Sequence, residues 1–352
     1  MATAPLTTFV LGMAAGTLPI GWIARRFGRR AAFLTGAAGG VACGVLASVA
    51  CVVGSFALLC AATFLGGFYA AASQSYRFAA TDGATPALAP KLISWVMLGG
   101  VFAGVLGPQL VQWTSPIWPH TLFAATYLAQ AAVAAIAMVV LAGAPAGQNP
   151  AAPETGGRPL GAIVRQPRFV VAAVCGTIGY GLMNMVMTAA PLAMKMCGLT
   201  LSDSTLGIQW HVLAMYAPSF FTGALITRFG AGRIVALGLA LEIAAAAIDM
   251  SGLSVAHFWV GLIVLGVGWN FAFVGASAMV VASHRPQERT KVQSFNDFII
   301  FGTMAVGSFA SGQILATGGW AAVNLIVFPA ASVGLVALVW GRRTAHGRSA
   351  AA

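Results

Sequence analysis

Residues 21–30 read Gly21-Trp-Ile-Ala-Arg25-Arg26-Phe27-Gly28-Arg29-Arg30, and 202 residues later the chain reads Gly223-Ala-Leu-Ile-Thr227-Arg228-Phe229-Gly230. Both stretches are short basic turns between apolar runs. Two more echoes follow at an offset of 200. Leu65-Gly66 with Tyr69 matches Leu265-Gly266 with Trp269, and Lys91-Leu-Ile-Ser94-Trp95 matches Lys291-Val-Gln-Ser294-Phe295. A repeat of this length implies two equivalent halves in parallel.

Composition gives the solvent of those halves. Of 352 residues, 59% are hydrophobic and 7% are charged, with a mean hydropathy of +0.88; a soluble domain carries roughly 25% charged residues. The chain is an all-α integral membrane protein on this pattern. Apolar runs of about 20 residues, the length that crosses a bilayer, fall at 5–25, 31–53, 56–77, 91–113, 120–142, 168–190, 207–227, 232–251, 256–282, 293–315 and 320–341. The stretch after the fifth run is rich in Pro, Gly and Ala and reads as an aqueous linker. The expected division is a first bundle over 1–142, a linker at 143–167, a second bundle over 168–342 and a tail at 343–352.

The net charge of +11 is not spread as a nucleic-acid surface would be. Seventeen of the 18 Lys and Arg fall in alternate short loops, and only Lys195 falls opposite. Basic residues in such loops stay on the cytoplasmic side during insertion, which places the C-terminus in the cytoplasm and the chain in the inner membrane. Subtracting the repeat offset from the sixth run puts its partner upstream of Met1. The expectation is therefore 11 of 12 helices, with the first absent. No basic leader precedes the first run, so no signal peptide is read. The five cysteines form no C-x-x-C pair, and no metal site or cofactor is read.

The turn Gly21-x-x-x-Arg25-Arg26-Phe27-Gly28-Arg29-Arg30 resembles the signature loop of the major facilitator superfamily, and its relic around Arg228 stands at the matching place in the second half. The resemblance implies two six-helix bundles related by a pseudo-two-fold axis, with the runs above as helices 2–12. It further implies a transporter working by alternating access as a monomer. Arg25 stands where the family usually has Asp. The acid that latches the cytoplasmic side would then be Asp297, one turn inside helix 11, paired with Arg25 or Arg26. Solvated basic residues that only set topology are the other reading. Gly100-x-x-x-Gly104-x-x-Gly107-Pro108 in helix 5 is a partial match to an antiporter run, or close helix packing.

In that family helices 1, 4, 7 and 10 line the cavity. The polar residues on them are Tyr69, Ser73 and Gln74 on helix 4, Tyr180 and Asn184 on helix 7, and Trp269 and Asn270 on helix 10. Each either lines the path or bonds between helices. Candidates for proton coupling are His211, which is otherwise an interfacial anchor, Glu242, which is otherwise structural on a peripheral helix, and Asp297. Asp249 reads as wetted. The near absence of charge in the cavity favours a neutral, amphipathic or aromatic small solute, with protons as coupling ion and lipid as surroundings. Neither a nucleotide-binding G-x-x-x-x-G-K-[ST] loop nor an H-E-x-x-H motif occurs, which argues against an ATP-driven pump or an embedded enzyme. Drug or metabolite efflux, nutrient uptake, and a truncated or non-transporting receptor stay open.

Overall fold

The computed structural model describes residues 4–121, 123–143 and 157–349, with side chains to residue 344. Most of the expected linker and the end of the tail lie outside the described residues. The described chain is helical throughout its apolar runs.

Among the described residues nine helical runs are long and apolar enough to cross a membrane, and two of them are too long for one crossing. The run Ala4–Val53 has 50 residues and breaks at Gly28, where φ is 87° and ψ 163°. The run Pro286–Thr344 breaks at Gly319, with φ of 70°. A helix rises about 1.5 Å per residue, so 50 residues would reach about 75 Å against a hydrocarbon core of about 30 Å. Eleven spans result: α1 at 4–27, α2 at 29–53, α3 Phe56–Ala79, α4 Ala89–Thr114, α5 Ala124–Gly143, α6 Pro167–Met196, α7 Leu201–Phe229, α8 Ala231–Ser251, α9 Val255–Val281, α10 at 289–318 and α11 at 320–349. Large apolar side chains such as Ile136, Val139, Phe220 and Phe309 remain exposed, as a lipid-facing surface requires.

The ends differ from the sequence reading where polar residues cap rather than loop. α7 starts six residues early because Thr200 and Asp203 form a capping box, the Thr200 hydroxyl accepting from the Asp203 amide and Asp203 accepting from the Thr200 amide. α11 runs on into the expected tail.

The repeat is visible in the backbone. Gly230 has φ of 87° and ψ of 143°, nearly the values at its repeat partner Gly28; a side chain would be strained in that region. Before each glycine an Arg guanidinium lies over a Phe ring, Arg26 on Phe27 at 5.7 Å and Arg228 on Phe229 at 5.2 Å.

The chain divides into two compact units. Unit 1 comprises 1–79, 106–160 and 285–305, and unit 2 comprises 80–105, 161–284 and 306–352. Each unit therefore takes one short helical segment from the opposite half of the sequence, and the two segments, beginning near Lys291 and Lys91, are themselves repeat partners. The contacts explain this. In unit 1 a Cβ on Gly21 would stand 2.0 Å from Ser294 Oγ. In unit 2 a Cβ on Gly223 would stand 2.7 Å from Lys91 Cα and 2.8 Å from the Pro90 carbonyl. The Ser94 hydroxyl donates to the Ser219 carbonyl at 2.6 Å and accepts from the Gly223 amide at 3.1 Å.

Gly223→Ala would push against backbone that cannot yield, at a cost of about 1–3 kcal/mol. Gly107→Ala, where a Cβ meets nothing within 4 Å, gains up to ~1 kcal/mol from helix propensity. Thermal unfolding in detergent checks both, and equal shifts for the two contradict this packing.

Candidate functional site

In unit 2, α6 and α9 are the central helices, each with 72% of its apolar stretch buried. They bring Tyr180 and Trp269 together. The two rings meet edge to face at 5.3 Å, Trp269 stacks on Phe273 at 5.1 Å and 17°, and Tyr216 of α7 closes the group at 5.5 Å. Trp269 is fully buried, and its Nε1 has no hydrogen-bond partner among the described residues. Beside Tyr180, Asn184 is buried among Met183, Met185 and Val186. This is a closed aromatic box with an unused donor at its centre.

Asn270 serves another purpose. α7 is interrupted at Ala217–Pro218, because proline lacks the N–H that a helix needs. Asn270 Nδ2 donates to the Met215 carbonyl and to Ser219 Oγ, both at 2.7 Å, while the Thr222 hydroxyl lies 2.6 Å from its Oδ1. Its amide is committed to holding the broken helix. Gly100 and Gly104 serve packing, since a Cβ on either would enter the Tyr216 ring or the Val212 side chain.

Unit 1 holds the charged residues. Asp297, expected to meet Arg25 or Arg26, pairs with Arg77: Nη2 donates to Oδ1 at 2.5 Å, and both side chains are buried. Arg77 also donates to the Gln74 carbonyl, lies over the Phe78 ring at 4.2 Å, and is within 3.5 Å of Gln74 Oε1. Arg25 is placed elsewhere, on a recess of about 360 Å³ lined also by Leu18, Leu160, Lys291, Ser294 and Phe295. A buried carboxylate needs a buried cation, and the α3 end supplies it. Beside the pair is a void of about 20 Å³, the size for one water, edged by Thr17, Arg29, Ser75 and Gln293. Arg29 reaches Gln293 Oε1 at 3.0 Å, and Arg30 donates to the Ala142 carbonyl. Tyr69 packs on Gly40, and Ser73 donates back to the Tyr69 carbonyl at 3.0 Å.

A second pair lies in the loop before α10. Arg158 Nε and Nη2 grip both oxygens of Glu288 at 2.8 and 2.7 Å, and the Arg158 and Arg285 amides add two more bonds. Those donors, the guanidinium first, hold the Glu288 carboxyl well below the usual carboxylate range. Lys291 Nζ donates to the Arg158 carbonyl at 2.6 Å.

Comparison with known proteins places this geometry. Residues 1–218 match the profile of the Major Facilitator Superfamily. Across 342 residues the chain is 50% identical to the riboflavin transporter RfnT of Brucella anthropi, covering 96% of this chain and 86% of that one. The chain belongs to the Major Facilitator Superfamily. It is a multi-pass membrane transporter for a small molecule, in a family of transporters rather than enzymes. A second relative, the uncharacterized MFS-type transporter YddS of Bacillus subtilis, is 29% identical over 92% of this chain and 79% of that one. The E. coli fucose:proton symporter FucP shares the superfamily fold with a TM-score of 0.76 at 13% identity, over 97% of this chain and 90% of its own.

Within this facilitator chain three further expectations change, beside the partner of Asp297. Asp249 is not wetted: it is 1% exposed, pressed against Gly261, with neither carboxyl oxygen bonded among the described residues. His211 is not an interfacial anchor but fully buried, its Nδ1 2.7 Å from the Leu262 carbonyl. Glu242 is not peripheral but points inward and is fully buried. Tyr216, Phe273 and the Arg158–Glu288 pair went unread. Trp269 and Phe273 stand one turn apart, a visible signal, whereas the Arg158–Glu288 pair spans 130 residues and leaves no local trace.

Removing one partner of the Arg77–Asp297 pair strands the other charge, costing about 3–5 kcal/mol. Asp297→Asn is therefore expected to melt well below the parent, and Arg77→Met with Asp297→Leu to recover most of the loss. Melting curves in detergent check this; a double variant no better than the single one contradicts it.

Proposed function

We propose that this chain carries riboflavin across the inner membrane by alternating access, driven by the proton gradient, as a monomer with a cytoplasmic C-terminus. The observation that carries the reading is the 50% identity to a riboflavin transporter along nearly the whole chain. The ring cluster of Tyr180, Trp269, Tyr216 and Phe273 supports it, because riboflavin's isoalloxazine is a planar, uncharged aromatic system with hydrogen-bonding edges. Rings of this kind bind by stacking, and the unused Trp269 Nε1–H is a donor for a carbonyl on such an edge. The cluster is shut in the arrangement described. Binding then requires that α6 and α9 part enough for a flat ligand to replace the Trp269–Phe273 stack.

The Arg77–Asp297 and Arg158–Glu288 pairs act in this reading as closures of the face bearing the basic loops. They bring the start of α10 onto α3 and onto the residues before α6, and they must release when that face opens.

Proteoliposomes holding the full chain are expected to accumulate labelled riboflavin when a proton gradient is imposed. Losing one aromatic stacking partner is worth about 1–3 kcal/mol, roughly fivefold to 150-fold in affinity. Trp269→Ala should raise the half-saturating riboflavin concentration by at least about fivefold, and Trp269→Phe by much less. Absence of riboflavin flux with or without the gradient contradicts the reading.

A further inference from the structure

Glu242 stands at a close contact of three helices in unit 2. One turn before it on α8, a Cβ on Gly238 would lie 2.4 Å from the Ala272 amide nitrogen and 2.6 Å from the Gly268 carbonyl of α9. On α6, a Cβ on Gly179 would lie 2.8 Å from Ala272 Cβ and 3.5 Å from Glu242 Oε1, and one on Gly268 would lie 3.1 Å from Glu242 Cγ. Gly179 of α6 thus borders a carboxyl oxygen and Gly268 of α9 borders Cγ, while Gly238 lets α8 approach α9 beside them. The side chain is fully buried, and neither carboxyl oxygen has a hydrogen-bond partner among the described residues.

The hydrogen-bond inventory decides which form fits. An ionised carboxyl presents about four acceptor sites and no donor, while the neutral acid has a single O–H to satisfy. With no donor at hand, the charged form would forfeit the full solvation of an ion. It fits only if the junction opens to water. The same glycines immediately precede the two rings of the box: Gly179 precedes Tyr180, and Gly268 precedes Trp269. Whatever separates α6 from α9 at Glu242 separates the Tyr180–Trp269 contact as well.

We propose that Glu242 binds the coupling proton, and that protonation closes the α6–α8–α9 junction and with it the Tyr180–Trp269 ring pair. The inference rests on the proton-driven reading of transport given above. The step is a simple transfer: a proton from water adds to a carboxylate oxygen while the junction is open, and returns to water when it reopens. A differential preference of the two arrangements for the proton is what couples them.

The other titratable groups on the packed elements are few. α6 carries Tyr180 and Cys175 in its span and Arg168 and Lys195 at its ends; α9 carries His257 at its start. α7 carries Asp203 near its start, His211 and Tyr216 in its span and Arg228 near its end, and Arg342 and Arg343 lie late in α11. On α8 itself are Arg233 and Asp249, the latter two turns beyond Glu242 and against Gly261.

Two measurements on the full chain in proteoliposomes separate this proposal from the reading it rests on. The first needs no substrate. Fluorescence of Trp269, taken as the difference between the parent and Trp269→Phe, is expected to titrate with pH, and the titration is expected to vanish in Glu242→Gln. If that variant does not give a monodisperse protein, Glu242→Asp, which draws the carboxyl back by one methylene, should shift the midpoint. Titration unchanged in Glu242→Gln, an unshifted midpoint in Glu242→Asp, or no titration in the parent overturns the proposal. The second uses riboflavin: Glu242→Gln should lose accumulation driven by the proton gradient while still exchanging riboflavin at equal pH. Full gradient-driven accumulation in Glu242→Gln overturns the proposal. A parent that does not move riboflavin at all overturns the substrate reading and leaves the fluorescence titration to decide on Glu242.

Discussion

At Gly223 the backbone of α7 comes so near α4 that a methyl group would lie 2.7 Å from Lys91 Cα, and at Gly21 one would lie 2.0 Å from the Ser294 side-chain oxygen on α10. Lipid gives no hydrophobic drive between helices, so association relies on close backbone approach and on bonds between polar groups. Glycine against serine supplies both. The Ser94 hydroxyl, bonded to the Ser219 carbonyl and the Gly223 amide, fixes the crossing in register. From these two crossings follows the exchange of helical segments that gives each compact unit a piece of the other sequence half.

The polar residues fall into two groups around this frame. One group is saturated. Asn270 repairs the helix interrupted at Pro218, Glu288 receives four donated bonds, and Asp297 is neutralised by Arg77. These hold a single arrangement. The other group is buried without partners among the described residues and includes the Trp269 indole nitrogen, both oxygens of Glu242 and of Asp249 and the His211 Nε2 in unit 2, and the Tyr76 hydroxyl and Asn296 Oδ1 in unit 1. Unmet hydrogen-bonding capacity at membrane depth is costly, and the proposed function draws on two of its members, Trp269 in the ring cluster and Glu242 at the junction beside it.

Much of this was legible in the sequence. The span positions, the repeat and the two basic turns rest on local patterns, and Gly28 and Gly230 share an unusual backbone because they are repeat partners. Tyr180 and Trp269 were legible as polar-edged aromatics at membrane depth. What was hidden depends on which side of a helix faces which neighbour. Asp297 finds Arg77 rather than Arg25, across 220 residues. Glu242 and Asp249, two turns apart on one helix, both face glycines of α9. An apolar helix in lipid carries too weak an amphipathic pattern to reveal such a face.

In the proposed transport cycle the start of α10 leaves the helices it packs on when the face bearing the basic loops opens, so the Gly21–Ser294 crossing must part with it. The most direct test of that parting is a reversible cross-link within this crossing, with Gly21→Cys and Ser294→Cys introduced into a chain whose five native cysteines are replaced by serine. Oxidation is expected to join the pair and halt riboflavin flux in proteoliposomes, and reduction to restore it. Flux that continues at the same rate with the link in place would contradict the account.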